Sequence, residues 1–299
     1  MAINAATVTG DFSGFLNADQ SGPIFDQAMR TSVVQSLVRQ VPLGINGQEI
    51  PITTSKPVAG WVAEAGQKPA TQGAMSLKTM TPKKLAAIAV VSAEVVRANP
   101  GNYVNLLRPQ LAEAFAVAFD AAALHGTSTP FTTYIDQTTQ TDIEIGTATS
   151  ANGGVYADLN SGLAALVNAG KRLTGFAFDV TAEPLFNAAV DTTGRPLFVD
   201  SPTTETAATV QAGRVLGRPA FIGEGVKAGT TVGYGGDWTQ AAWGVVGGIS
   251  YDVSTEATVT INGALTSLWE HNLLAVRAEA EYGWLVNDVD AFVTYINAV

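Results

Sequence analysis

Glu279 and Glu281 stand two residues apart in "VRAEAEYGW". On an extended chain that spacing puts both carboxylates on one face, about 6.6 Å apart. The separation falls within the roughly 5 to 9.5 Å at which glycoside hydrolases hold an acid and its partner carboxylate. Arg277 shares the same face, however, and with no sugar cleft marked nearby the trio reads as a solvated or interfacial ion network. His125 and His271 are the only imidazoles. Neither lies in an H-x₃-H or HExxH spacing, and both read as helix-end or surface residues rather than ligands. "GYGGDW" (233–238) is glycine-rich but has neither the GxGxxG order nor the Walker lysine, so a tight turn explains it better than a phosphate cradle. No G-x-S-x-G elbow exists to carry a serine nucleophile. The residues therefore nominate no catalytic group, metal ligand or cofactor. A soluble hydrolase using Glu279 and Glu281, running as a small oligomer, is the enzymatic alternative.

Composition narrows the choice further. Charged residues make up 14% of the 299, against a usual value of about 25%, while 46% are hydrophobic. Such a chain has little charge with which to coat an isolated globule, and its apolar excess calls for a partner. The formal net charge of −10 argues against a protein whose work is coating nucleic acid phosphates. Without cysteine there can be no disulfide, thiolate zinc site, Fe–S cluster or cysteine nucleophile. The amino-terminal "MAINAATVTGDFSGF" has no basic or apolar leader pattern, so cytoplasmic residence is expected. The apolar runs 85–91 and 115–119 end at Glu94 and Asp120, far short of the roughly 20 residues of a spanning helix.

Several elements follow from pattern. Residues 1–22 are too poor in bulky side chains to fold alone and read as an arm. From Pro23, the spacing of Ile24, Met29, Val33, Val34, Leu37 and Val38 predicts a short amphipathic helix ended by Pro42 and Gly44. "QEIPITTS" (48–55) is a strand, and "KKLAAIAVVSAEVV" (83–96) reads as a buried strand returning from a long two-stranded finger. Lys56, Lys68, Lys78, Lys83 and Lys84 cluster on that finger with Trp61 as the one interleaved aromatic, a mate for an acidic protein surface rather than a nucleic acid platform. Val104, Leu107, Leu111, Phe115, Phe119 and Ala122 define the strongest helix, with Pro109 near the first turn of its long part and Gly126 as its stop. Leu159, Leu163, Leu166, Val167 and Leu173 predict a second helix. Short strands and helices then alternate through "FAFDV", "AEPLFNAAV", the turn "DTTGRPLF", "RVLGRPAFIG" and "AAWGVVGGISYDVS". Last, Val276, Ala278, Ala280, Tyr282 and Trp284 alternate with Arg277, Glu279, Glu281 and Gly283, the period of a half-buried strand with one core side and one ionic side.

Taken in order, "GWVAEAGQKP", "LKTMTPKKLAAIAVVSAEVV", "LRPQLAEAFAVAFDAAALHG", "FAFDVTAEPLFNAAVDTTGRPLF", "GDWTQAAWGVVGGISYDVS" and "LLAVRAEAEYGWLVNDVDAFVTYI" resemble successive blocks of the tailed-phage major capsid proteins of the Hong Kong 97 type. The resemblance implies an α+β fold with an N-terminal arm, an extended β-hairpin loop, a spine helix, a peripheral domain and an axial domain. It divides the chain into 1–47 (arm and short helix), 48–82 (extended loop), 83–149 (peripheral domain with spine helix 102–125), 150–265 (axial domain) and 266–299 (return to the peripheral domain). It implies a structural protein, not an enzyme, that self-assembles into hexamers and pentamers of an icosahedral head around double-stranded DNA, in the host bacterial cytoplasm. The implied partners are further copies of the chain and a portal protein, with room for a separate scaffolding protein, a maturation protease and a decoration or cement protein. DNA is enclosed without sequence-specific binding, and no membrane is involved. An encapsulin-like nanocompartment shell is the alternative on the same fold. No lysine and asparagine pair aligns for the covalent cross-link of the founding member. The expected inter-subunit contacts are Trp61, Glu64, Lys68, Lys78, Arg277, Glu279 and Glu281. Trp61 leads the set because "VAEAGQKPATQG" offers nothing bulky to surround an indole within its own finger.

Overall fold

The computed structural model describes residues 32–64, 66–98, 103–140, 142–189 and 211–297. The arm over 1–22, the first turns of the helix expected from Pro23 and the turn "DTTGRPLF" lie outside them. The described chain begins with α1 (Val33–Leu37), β1 (Arg39–Gln40), β2 (Gln48–Ser55), β3 (Ala74–Met80), β4 (Lys83–Ser92), α2 (Ala93–Ala98) and α3 (Tyr103–Leu124). It continues through β5 (Ile143–Glu144), α4 (Gly154–Asn168), β6 (Gly175–Phe178), α5 (Glu183–Asn187), β7 (Gln211–Val215), β8 (Arg218–Ile222) and β9 (Thr231–Gly236). It closes with β10 (Ala241–Ser254), β11 (Thr258–Ile261), β12 (Ala264–Ser267), β13 (Leu273–Val286) and β14 (Phe292–Ile296).

Two larger sheets form, in the orders β1-β10-β13-β4 and β5-β14-β9-β6-β8-β7, with β2-β3 and β11-β12 as separate hairpins. The sheets do not follow the linear division of the chain. β10, within 150–265, pairs with β13 along almost its whole length, and β14, within 266–299, lies between β5 and β9 in the six-stranded sheet. The finger also differs from the expected pairing. β2 pairs with β3, from Gln48↔Met80 to Ser55↔Ala74, while β4 leaves the finger to pair with β13. Pro82 separates β3 from β4 and has no N–H to continue a ladder. β4 stops at Ser92, whose hydroxyl accepts from the Val95 N–H at 3.3 Å and so starts α2; the expected strand over 83–96 is thus a strand followed by a helical turn.

The alternation read in β13 is realised from Val276 to Tyr282, but Gly283, read on the ionic side, is buried because Leu43 and Met80 pack against it. Val276, Ala278, Ala280, Tyr282 and Trp284 are buried under α3, and Arg277 faces solvent. α3 packs Leu107, Leu111, Phe115 and Phe119 on this sheet. The helix continues through Pro109 rather than beginning its long part there, at the loss of an intrahelical hydrogen bond, and Gly126 follows its end at φ +70°. A second core lies between α4 and the six-stranded sheet, where Leu159 and Leu166 meet Phe176, Phe178 and Tyr295.

β9 overturns the reading of "GYGGDW" as a tight turn. It is a central strand between β14 and β6, and its glycines are there because rings lie over the backbone. A Cβ on Gly233 would sit 2.2 Å from a Phe178 ring carbon, and one on Gly236 would sit 2.4 Å from the Phe292 ring and 2.7 Å from the Ala291 carbonyl. Gly236→Ala is therefore expected to destabilise the subunit by about 3 kcal/mol. Gly213→Ala, on β7 where a Cβ meets nothing within 4 Å, is expected to stay within about 0.5 kcal/mol of wild type. Denaturant melts of both variants check the contrast.

Between the two cores sits α1, with Val33 and Val34 fully buried. The Ser32 hydroxyl caps it, accepting from the Gln35 N–H at 3.0 Å and donating to Asp120 of α3 at 2.5 Å, while the Val33 N–H donates to the other Asp120 oxygen at 2.9 Å. Burial pushes the Asp120 pKa up to about 6, against the lowering effect of the Ser32 and Val33 hydrogen bonds. The folded subunit thus binds a proton more tightly than the unfolded chain between about pH 4 and pH 6. The contribution of Asp120 to stability is most favourable below that window and declines as pH rises through it, by up to about 3 kcal/mol. The wild-type minus Asp120→Asn stability difference, measured on unassembled subunits, should fall over this window and be flat on either side.

Candidate subunit interface

The β2–β3 finger buries almost nothing of its own. Met80 at its base is fully buried, and the Lys78 ammonium donates to the Asn287 carbonyl at 2.6 Å, which ties the base to the end of β13. Outward from there the ribbon is open, with Met75 and Leu77 exposed, and the connection past β2 carries exposed Val58. Trp61 has a relative exposure of 106%, beyond that of an isolated reference residue. An indole offers roughly 150 to 250 Å² for burial, and a two-stranded ribbon alone is marginal in water, so the described residues of the subunit do not complete the finger. Glu64 and Lys68 lie on the same connection and are exposed. Lys78, unlike the fully exposed Trp61, has a partner within the chain.

On the ionic side of β13 the candidates come together. Lys84 contacts one Glu279 oxygen at 2.9 Å, Arg277 approaches the other at 3.5 Å, and Arg277 also meets Asp252 at 2.8 Å. A carboxylate held between two cations belongs to an ion network and is not placed as a proton donor. Glu281 is two residues further along, opposite Lys84 in the β13–β4 register. Gly247 and Gly248, both at positive φ, form a bulge between the Val246↔Glu281 and Ser250↔Glu279 pairs, opening a hollow of about 380 Å³ beside both glutamates. Trp61, Glu64 and Lys68 belong to the finger and do not join this cluster.

The histidines serve different neighbourhoods. His125 follows α3, its Nδ1 2.7 Å from the Tyr234 hydroxyl, and that hydroxyl donates to Asp136 at 3.0 Å. Burial first and the Asp136 charge second push the Tyr234 pKa upward, so the phenol keeps its proton. His271 is exposed, with Nδ1 2.9 Å from the Ser267 carbonyl oxygen. Among the described residues no group of three or more His, Asp or Glu could hold a metal ion, and no helix is long and apolar enough to cross a membrane.

Two features escape the sequence reading. Leu265 and Trp269, at and after the β11–β12 hairpin, are 79% and 76% exposed. The Asn262–Gly263 pair, both residues at positive φ, was the legible signal for that hairpin. The second is an apolar groove of about 580 Å³ between α3 and the start of β4, floored by Phe119 and Phe131. It draws on segments remote in sequence and leaves no local pattern.

A finger and an apolar groove on an α+β body of two sheets and a long helix define a protein built to associate with others. Residues 13–296 match the phage capsid family, and the chain belongs to that family. It is 45% identical over 298 residues to the "Probable major capsid protein gp17" of Mycobacterium phage D29, covering 97% of this chain and 93% of that protein. The protein of the same name in Mycobacterium phage L5 is 44% identical over 300 residues. Among solved structures, one from Mycobacterium phage Adephagia superposes with a TM-score of 0.76 at 17% identity over 99% of each chain. One from Gordonia phage Cozz gives 0.75 at 22% identity, over 97% of this chain and 94% of that one. These likenesses establish the capsid fold, and the sequence relatives establish a structural virion protein.

Full exposure of Trp61 fixes what its removal should do. Trp61→Ala is expected to leave the melting of unassembled subunits within about 0.5 kcal/mol of wild type, where truncating a core tryptophan would cost roughly 3 to 5 kcal/mol. Particle yield, measured separately, should fall.

Proposed function

We propose that this chain is the repeating subunit of a phage head, assembling as hexamers and pentamers into an icosahedral shell around double-stranded DNA. The 45% identity to a mycobacteriophage major capsid protein along 97% of the chain carries this reading. The exposed finger supports it physically, because the described residues leave its apolar side chains uncovered and a neighbouring copy can bury them. The work is structural and no reaction is assigned. The net charge of −10 suits a wall that encloses DNA without gripping its phosphates. A nanocompartment shell is not favoured, since the relatives are phage proteins.

Within this reading the four-stranded sheet with α3 makes up the peripheral part of the subunit and the six-stranded sheet with α4 the axial part. Assembly takes place in the host bacterial cytoplasm. A portal protein occupies one vertex, and scaffolding, protease and decoration proteins are the classes of partner such a shell recruits. Trp61, Glu64, Lys68, Arg277, Glu279 and Glu281 contact neighbouring subunits, and Lys78 acts indirectly by fixing the finger's base.

Expressed alone, the protein is expected to sediment as capsomers, tubes or shells visible by negative-stain electron microscopy. A monodisperse monomer at high concentration would refute the assignment. Particles recovered from infected cells should contain DNA, and enzyme cargo in its place would favour the nanocompartment.

A further inference from the structure

Ser32 turns the chain where the described residues begin. Its backbone is extended, with φ −67° and ψ 121°, and its hydroxyl caps α1, so the helix expected from Pro23 does not run straight on into α1. The bulky residues ahead of it, Ile24, Phe25 and Met29, are not carried between the two cores by α1 and need a surface of their own. The outward side of α3 lies next to that turn. Asp120 holds both Ser32 and Val33. At 100° per residue, Glu113 lies about 20° from Asp120 round the helix and Val117 about 60°. Both line the apolar groove of about 580 Å³ floored by Phe119 and Phe131, and Ala114 and Ala118, exposed on the helix, leave its opening clear. The flank of α3 that anchors α1 is thus also a wall of the groove.

We propose that in the unassembled subunit residues 23–31 cover this groove in cis, with the Phe25 ring beside Ala114 and Ala118 over Phe119 and Phe131, and Met29 against Val117. The reach suffices. From the Asp120 flank to Ala114 is about 120° of arc, or about 19 Å at the roughly 9 Å spacing of packed helices, and the seven residues from Phe25 to Ser32 span up to about 23 Å. An apolar lining with no atoms over it lacks dispersion partners on one side, which a ring and a thioether supply. Arg30, two residues before Ser32, falls on the Glu113 side of the helix. Lys84 is already held by Glu279 at 2.9 Å and takes no part. The cover is a property of the single chain, and it withholds apolar surface from other molecules until something displaces residues 23–31.

The absence of cysteine makes a clean cross-linking test possible. Ala28→Cys, which keeps Phe25 and Met29, is combined with Ala118→Cys in the full chain. Dilute unassembled subunits, mixed from isotope-labelled and unlabelled chains, are treated with a short bismaleimide. Mass spectrometry is expected to find residue 28 linked to residue 118 within chains of one isotope. Ala28→Cys with Asn160→Cys on α4 serves as the negative control. Adding Phe25→Ala to the linked pair should lower the yield of the link about tenfold. Nile red should fluoresce more strongly with Phe25→Ala subunits than with wild type, and Ala118→Trp, which fills the groove from an exposed position, should return the signal to the wild-type level. No link to residue 118, a link no stronger than the one to residue 160, or a yield indifferent to Phe25→Ala would overturn the assignment. Links between isotopes would make the segment of a second copy the occupant and overturn it too, and dye fluorescence unchanged by Phe25→Ala would overturn the cover. Every measurement is made on free subunits, so these failures leave the capsid reading standing.

Discussion

Phe119 fixes how the spine helix sits on its sheet. Its ring meets Tyr282 at 5.2 Å, Trp284 at 6.0 Å, Trp243 at 6.1 Å and Phe131 at 6.3 Å, in tilted and edge-on geometries that favour aromatic contact. These partners come from both long strands of the four-stranded sheet and from the loop after the helix, so one side chain joins three regions of the chain. The next residue is Asp120, about 100° further round the helix, which this placement aims at Ser32 and Val33. A rotation of one residue would drive a carboxylate into the aromatic cluster, where it would have no donors. The register that seats Phe119 therefore also sets the attachment of α1, and it turns Ala114 and Ala118 outward, where the groove forms.

The two halves of the finger problem have one physical origin. Most of the bulky apolar residues that the described chain buries lie in the two cores, one under α3 and one under α4. The β2–β3 ribbon is held only at its base, by buried Met80 and the Lys78 contact with the Asn287 carbonyl. Beyond that point no second layer among the described residues covers it, and Trp61, Met75 and Leu77 stand exposed. A charged fraction of 14% follows from the same division, because a subunit that expects to be covered needs less charge to keep its surface solvated.

Elements with strong periodicity were legible in the sequence. The β13 alternation appears in the fold as read from Val276 to Tyr282, and its ionic face holds the expected Arg277 and Glu279 in a network whose other members are Lys84 and Asp252, while Gly283, read on that face, is buried against Leu43 and Met80. The exposure of Trp61 was legible for a different reason, since its neighbours are too small or polar to enclose it. Where the reading failed, packing overrode local composition. Gly233, Gly235 and Gly236 look like a turn, and only the rings of Phe178, Tyr295 and Phe292 lying over them explain why they form a central strand. The return strand of the finger was assigned too late in the chain because Met75 and Leu77 point into solvent, so β3 has no buried face to announce it. The groove joins residues 83–85, 110–122 and 127–131, a combination that only the folded chain brings together.

An exposed ribbon in a protein that repeats many times carries a hazard, since free strand edges add to one another without regard to register. Both larger sheets limit it. The four-stranded sheet ends on β1, two residues long, and on β4, which starts with Lys83 and Lys84 and runs into a helix. The six-stranded sheet ends on the two-residue β5 and on β7, which carries Arg214. Within the finger, Pro51 removes a donor from β2 and Lys78 places a charge on β3. With backbone pairing discouraged at each of these edges, association is left to side chains whose contacts depend on shape and charge. A tryptophan held beyond the end of a ribbon satisfies that requirement, because it can be buried only where a neighbour provides a fitted apolar recess, and this makes the geometry of the contact, and so of the shell, specific.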